Sequence, residues 1–158
     1  MAEKAQEIRC LILTLKKENV LVASAAVAEI LSVENVEAIA DSPEWLVGEI
    51  KWRGVSVPLL SFEAAGGDTE AIANRNMQVA VLYILNDDSE LSSSYIGMVI
   101  SGVPHVSRFT ADQIVVDKDI TDEHSMIAQR VKVNGVSMSI LDIDAMENMI
   151  IDSGVFAV

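Results

Sequence analysis

Residue types that could perform catalytic or metal chemistry are sparse in this chain of 158 residues. The two histidines, His105 and His124, stand at no metal-ligand spacing, and no nucleophile–base motif accompanies them. The single cysteine, Cys10, lies in an apolar run, CLILTL, where a buried and inert thiol is expected. The acidic stretch 117–123 (DKDITDE) lacks the Gly and the distal Glu of a calcium loop. We therefore predict no enzyme activity, no metal and no cofactor.

A sequence repeat predicts two similar hairpins, and one of them carries residues typical of binding surfaces. Residues 51–62 (KWRGVSVPLLSF) align without a gap with residues 132–143 (KVNGVSMSILDI), sharing Lys, Gly, Val, Ser and Leu at the same offsets. The Asn-Gly pair at 134–135 predicts a type I′ β-hairpin turn, since both residues tolerate positive φ. The repeat therefore predicts two equivalent hairpins, which differ at the residues leading into the turn.

Trp52 and Arg53 occupy those positions in the first copy. Trp and Arg are the residues most enriched at interface hot spots, which favours a recognition surface at the hairpin tip. The structural alternative is a solvated strand face on which Arg53 pairs with Glu49. The spacing of these residues does not decide between the two.

Composition narrows the range of partners. The chain is 51% hydrophobic and 4% aromatic, with 24 acidic against 11 basic residues and a net charge of −13. So negative a surface repels nucleic acid and anionic lipids, and favours partners with basic patches. The N-terminal apolar run is too short for a signal peptide or a membrane span, so a cytoplasmic protein is expected.

Short apolar runs with period-2 character predict a chain built mainly of strands. We expect strands near residues 8–15, 19–24, 36–40, 46–52, 55–60, 78–85, 95–100, 114–116, 126–133 and 136–141. Predicted helical segments are a short helix at 25–31 (AAVAEIL), a single turn at 110–113, and a C-terminal helix that starts near Asp144 and ends at Gly154. Polar loops are expected at 64–76 and 86–94.

The repeat extends beyond the hairpin, because residues 20–30 also align with residues 96–106. Each half then supplies about five strands. The predicted class is all-β with short helices, folded as two SH3-like five-stranded β-barrels packed side by side, each completed by segments of the other. We expect one domain at 8–148 with intertwined subdomain boundaries, followed by a C-terminal tail at 149–158.

Five segments together resemble a known family. They are VAEI (27–30), IADSPEWLVGEIKWRGVSVPLLSF (39–62), YIGMVISGV (95–103), TADQI (110–114) and VNGVSMSILDID (133–144). This order is similar to the CheW-like coupling domain of bacterial chemosensory systems, over about residues 8–148. The most specific element is the framework of Gly48, Arg53, Gly54 and Pro58. The family fold, two SH3-like barrels, agrees with the repeat.

The resemblance implies a non-enzymatic adaptor in the cytoplasm. Its expected partners are the regulatory domain of a CheA-type histidine kinase and the cytoplasmic tip of methyl-accepting chemoreceptors, and its kinase-binding residues are unknown. The resemblance assigns a receptor-binding role to Val27, Glu29, Ile30, Gly48, Lys51, Trp52, Arg53 and Gly54.

The chain departs from the family pattern at Lys51, at Ser61-Phe62 and at Ser101, where the family has Asn, Asp-Leu and Asp. These departures indicate a divergent member, suited to a specialised pathway such as the control of type IV pili. Two alternatives are a small-ligand-binding β-barrel protein that uses the groove between the barrels, and a CheW-like domain that self-associates without coupling activity.

Overall fold

The structure is a computed structural model that describes residues 7–66, 77–84, 94–119 and 124–154. Its strands are β1 (Glu7–Thr14), β2 (Asn19–Ala23), β3 (Val27–Val33), β4 (Leu46–Trp52), β5 (Val55–Leu60), β6 (Met77–Tyr83), β7 (Tyr95–Ile100), β8 (His105–Thr110), β9 (Ile114–Val116), β10 (Ile127–Val133) and β11 (Val136–Leu141). Its helices are α1 (Phe62–Ala65) and α2 (Ile143–Ser153), with 3-10 turns at Ser24–Ala26 and Ala111–Gln113.

The strands form two sheets that exchange segments. One sheet has the order β8-β1-β2-β11-β10-β9, and the other has the order β3-β6-β7-β5-β4. Strands β1 and β2 thus join the second half of the chain, while β6 and β7 join the first. The prediction of an all-β fold in which each subdomain is completed by the other is confirmed. One sheet has six strands rather than the five expected, because it also contains β8, which was not predicted.

Backbone geometry repeats along with the sequence. Each long hairpin, β4–β5 and β10–β11, contains one bulge, at residues 46–48 and 127–129 respectively. Both hairpins turn through two residues at positive φ, with values of 49° and 79° at residues 53–54 and of 51° and 83° at residues 134–135. The first turn therefore has the same type I′ geometry as the second, although it lacks the favoured Asn.

Period-2 alternation distributes the apolar side chains among three clusters. In β6, for example, Val79 and Val81 point into the core of the five-stranded sheet. Ala80 and Leu82 point the other way, into a larger cluster to which strands of both sheets and helix α2 contribute. The third cluster fills the six-stranded sheet. The two barrels therefore pack side by side through a shared apolar layer.

The predicted helix at 25–31 is wrong, because the chain forms a 3-10 turn up to Ala26 and strand β3 from Val27 onwards. A bulge after Val27 shifts the register of β3 against β6. As a result Val27 and Ile30 face the cluster between the barrels, while Ala28 and Leu31 face the barrel core. A bulged strand that is apolar on both faces gives the i, i+3, i+4 pattern of a helix.

Two further strand predictions need correction. The strand expected at 36–40 is reduced to a single bridge between Glu37 and Glu49. Strand β8 was missed because the apolar Val106 lies on its exposed face and interrupts the alternation.

The predicted helix termini are largely confirmed. The turn at 110–113 has the expected capping box between Thr110 and Gln113. Helix α2 ends at Gly154, which adopts a φ of 73°. Its N-cap is Asp142 rather than Asp144, since the Asp142 carboxylate accepts the Ala145 N–H at 3.0 Å. The predicted loops 64–76 and 86–94 lie mostly outside the described residues. No helix within the described ranges has the length and apolarity needed to cross a membrane.

Among the glycines that the structure describes, Gly48 should be the least tolerant of substitution. It has a φ of 156°, and a Cβ there would lie 2.3 Å from the carbonyl oxygen of Glu37, across the bridge to β4. Gly54→Ala is the matched control, because Gly54 also has positive φ but has nothing within 4 Å of its Cβ position. In urea unfolding we expect a loss of about 2–5 kcal/mol for Gly48→Ala and about 1–2 kcal/mol for Gly54→Ala. Equal losses would contradict the steric explanation.

Cys10 should be unreactive in the folded protein. Its side chain is 4% exposed, and burial raises the pKa of its thiol, so little nucleophilic thiolate forms. At pH 8 we expect a thiol reagent not to label the folded protein in the time that it needs to label free glutathione. After unfolding in guanidinium we expect one equivalent of label per chain. Rapid stoichiometric labelling of the folded chain would show that the core around Cys10 opens.

Candidate functional site

Trp52 fills the end of the five-stranded barrel. It is the last residue of β4, where Gly48, Ile50 and Trp52 face inward as the alternation predicts. Its side chain is 6% exposed, and its ring meets Tyr95 edge-to-face with centroids 4.7 Å apart. Burying an indole removes enough surface from water to contribute about 4–6 kcal/mol of transfer free energy. Trp52 is therefore first a core residue.

A hydrogen bond from Trp52 to Glu29 joins the two ends of the sheet. The indole Nε1–H donates to Glu29 Oε2 at 2.8 Å. Glu29 lies in β3 and Trp52 in β4, the two outermost strands of the five-stranded sheet. Because the bulge turns Glu29 towards the barrel side of β3, its carboxylate reaches the buried indole. The sheet thereby closes on itself.

Arg53 packs on the solvent side of the Trp52–Glu29 hydrogen bond. Its guanidinium carbon is 4.7 Å from the centroid of the Trp52 ring, and Nη2 is 3.5 Å from Glu29 Oε1. The structural alternative from the sequence, a pair with Glu49, is therefore wrong in its partner. The Arg53 side chain remains 68% exposed. A guanidinium is thus oriented at the surface by one aromatic and one acidic neighbour.

The stabilising and destabilising contributions of Arg53 to the folding free energy nearly cancel. Its left-handed conformation costs about 1–2 kcal/mol for a residue with a Cβ. An exposed cation–π contact returns about 0.5–1 kcal/mol, and an exposed ion pair about 0.2–1 kcal/mol. Arg53 therefore contributes little net stability to the fold.

Lys51 and Gly54 have explanations in the hairpin itself. The Lys51 ammonium donates to the hydroxyl of Ser56, the residue opposite it in β5. Lys132 and Ser137 face each other at the equivalent place in the other barrel. Because the Lys–Ser pair is repeated, the hairpin architecture accounts for Lys51 without a partner protein. Gly54 supplies the second positive φ of the turn.

The predicted site residues on β3 divide between its two faces. Val27 and Ile30 are half-buried against the cluster between the barrels, whereas Glu29 faces Trp52. The structure thus brings together Glu29, Trp52 and Arg53, and places Val27 and Ile30 on the opposite face of the strand.

Two tyrosines that the sequence analysis missed complete the group. Tyr95 contacts Trp52, and Tyr83 lies opposite Tyr95 with ring centroids 5.5 Å apart. Tyr83 is 41% exposed, a large fraction for an aromatic side chain. The signal in the sequence was a tyrosine at each end of a polar connection. We call Glu29, Trp52, Arg53, Tyr83 and Tyr95 the Trp52 surface.

The Trp52 surface carries groups that could contact a partner protein, and its five residues do not form a nucleophile–base pair or a set of metal ligands. It offers one guanidinium, one carboxylate already engaged by two donors, and aromatic rings. In the part of the chain that the structure describes, no three His, Cys, Asp or Glu side chains are grouped as a metal site would need.

A cavity of about 440 Å³ lies elsewhere, at the end of the six-stranded barrel. It is lined by strands of that sheet, by Ala26 and by the start of α2. Its charged lining groups are Asp142 and Asp144, and the Asp142 carboxylate already caps α2. The convergent polar groups typical of a small-molecule site are not present among these lining residues.

Comparisons with known proteins agree on one family. A family model described as CheW-like domain matches residues 9–149. The chemotaxis protein CheW of Klebsiella aerogenes is 30% identical over 104 residues, which are 66% of this chain and 58% of that protein. The chain thus spans less than two thirds of that relative. The scaffolding protein TtCheW of Thermoanaerobacter tengcongensis, at 16% identity, superposes with a TM-score of 0.70 over 87% of this chain and 90% of its own, which shows the same fold.

Substitutions at adjacent positions should separate core from surface in the first hairpin. Trp52→Val introduces the residue of the second copy, and we expect a loss of about 2–4 kcal/mol from the cavity that it leaves. Arg53→Asn introduces the favoured turn residue, and we expect a change below about 1 kcal/mol. Urea unfolding followed by far-UV circular dichroism measures both. A loss at Arg53→Asn as large as that at Trp52→Val would assign Arg53 to the fold.

Proposed function

The chain belongs to the CheW-like domain family, and from this we propose that it is a non-enzymatic chemosensory adaptor that couples methyl-accepting receptors to a CheA-type histidine kinase. The relative from Klebsiella aerogenes is a chemotaxis protein, and the solved structure of the same fold is a scaffolding protein. The adaptor unit would span residues 8–148, with 149–158 as a tail. It would act in the cytoplasm, at membrane-associated sensory arrays.

The observation that carries this proposal is the orientation of Arg53. Its guanidinium is exposed yet held by Glu29 and Trp52, so a partner would not have to order a free side chain on binding. Arg and aromatic side chains that are fixed in this way are typical of interface hot spots. We assign the Trp52 surface to the receptor side of the adaptor.

The other predicted residues have indirect roles in this proposal. Gly48 and Gly54 set the shape of the hairpin, and Lys51 supports its base through Ser56. Val27 and Ile30 lie beside the cluster between the barrels and would contact a helix that docks in the groove there. The kinase-binding residues remain unassigned. The divergent positions Lys51, Ser61 and Ser101 suit a specialised pathway such as type IV pilus control.

The two alternatives are less well supported. A small-ligand function would need convergent polar groups in a pocket of ligand size, whereas the cavity of about 440 Å³ has a mostly apolar lining. Self-association without coupling is tested directly by analytical ultracentrifugation of the purified chain.

Titration calorimetry tests the adaptor with two purified partners, a kinase regulatory domain and a receptor cytoplasmic tip from the same organism. We expect the chain to bind both at concentrations on the order of tens of micromolar or lower. Arg53→Asn should weaken receptor binding by about tenfold, because it removes an oriented hot-spot group. Lys132→Ala, beside the equivalent turn of the other barrel, should bind as the wild type does.

The outcomes separate the function from its site. If the wild-type chain binds neither partner, the adaptor function is wrong. If it binds both and Arg53→Asn behaves like Lys132→Ala, the function stands and the receptor surface lies elsewhere.

A further inference from the structure

The cavity of about 440 Å³ at the six-stranded sheet has no part in the adaptor function proposed above. Its wall contains buried apolar side chains, among them Leu21 and Ile143, together with the buried thiol of Cys10. Cavities that bind small molecules in proteins commonly measure about 300–1,000 Å³. The cavity is therefore large enough for an organic ligand, and its wall suits a hydrocarbon.

The cavity reaches the protein surface, because two of its apolar lining residues are exposed. They are Ile8 on β1 and Ala128 on β10. Ile8 is 45% exposed, although large aliphatic side chains are mostly buried in folded proteins. A ligand that enters the cavity would cover Ile8 and remove its apolar surface from water, which favours binding.

The charged residues that line the cavity all have the same sign. They are Asp142 and Asp144 at the start of α2, and the lining residues include no Lys, Arg or His. The Asp142 carboxylate accepts the Ala145 N–H at 3.0 Å, whereas Asp144 is exposed at the surface. This end of the cavity therefore attracts a cation and repels an anion.

We propose that the cavity binds a small amphiphilic amine, with its hydrocarbon part against the apolar wall and its ammonium group beside Asp144. Such a ligand does not need the convergent polar groups that a polar metabolite requires, because its single charged group can remain at the surface. Its affinity would come mainly from the buried hydrocarbon, at about fourfold per buried methylene. This site would be additional to the adaptor function, and its test requires neither a kinase nor a receptor.

Two other classes of ligand match the cavity less well. The carboxylate of a fatty acid would be repelled by Asp142 and Asp144. An uncharged alcohol would match the apolar wall but would gain no ion pair with either aspartate. An amphiphilic amine uses both the apolar wall and the acidic end of the cavity.

Nuclear magnetic resonance titration of the full chain at pH 7 tests the proposal with hexylammonium, hexanol and hexanoate, which have the same chain length. The methyl signals of Ile8, Ala128 and Ile143 report on the cavity. We expect hexylammonium to bind with a dissociation constant on the order of 1 mM. Hexanol should bind about two- to fivefold more weakly, and hexanoate more weakly still. Pentylammonium should bind about fourfold more weakly than hexylammonium, since it buries one methylene fewer.

Variants separate the acidic end of the cavity from its apolar wall. Asp144→Asn should abolish the preference for hexylammonium over hexanol while leaving the affinity for hexanol unchanged. Asp152→Asn is the matched control, because Asp152 is an exposed aspartate at the other end of α2, and it should retain the preference. Ala128→Leu adds a larger side chain at an exposed lining position and should weaken both probes by about fivefold or more. Far-UV circular dichroism checks that each variant is folded.

Four results would overturn the proposal. The first is the absence of shifts in the cavity methyl signals with hexylammonium at about 10 mM. The second is binding of hexanoate or hexanol as tight as that of hexylammonium. The third is an equal loss of preference in Asp144→Asn and Asp152→Asn, which would show that the ammonium responds only to the overall charge of the protein. The fourth is unchanged binding in folded Ala128→Leu, which would place the ligand outside the cavity.

Discussion

The hydrogen bond between Trp52 and Glu29 is the constraint on which the first barrel and its surface both depend. It joins the outermost strands β3 and β4 at the end where the hairpin turns. The bulge after Val27 is what brings the Glu29 carboxylate to the barrel side, and the indole then occupies the barrel end. One carboxylate oxygen holds the indole while the other faces Arg53. Closure of the barrel and orientation of the surface cation are therefore one arrangement.

Duplication makes the specialised residues visible. The bulges, the positive-φ turns and the Lys–Ser pairs recur in both barrels, so architecture explains them. The counterparts of Trp52 and Arg53 in the second copy are Val133 and Asn134. Val133 supplies a core residue and Asn134 a turn residue, which is all that a hairpin requires. What remains after the two copies are compared is the aromatic and charged group in one barrel.

Local signals made much of this fold predictable, and non-local pairing limited the rest. The two hairpins, the capping box at Thr110 and the stop at Gly154 are specified by residues close in sequence. Strand β3 was misread because its bulge gives a helical periodicity, a property of its register against β6. Glu29, Trp52 and Arg53 could be selected as candidates from the resemblance. Tyr83 and Tyr95 could not, because their contact depends on the pairing of β6 with β7.

The near-zero net stability of Arg53 is itself an argument about its role. Arg53 has a left-handed backbone conformation at a turn position where the other copy has Asn. Arg53 gives the fold no stability there that Asn would not supply. Its ion pair and its cation–π contact only offset the strain, so the stability of the fold does not explain an arginine at this position. These contacts do fix the guanidinium in one orientation before any partner arrives. This orientation fits the association that we propose for Arg53, because a bound partner would gain from a cation that is already in place.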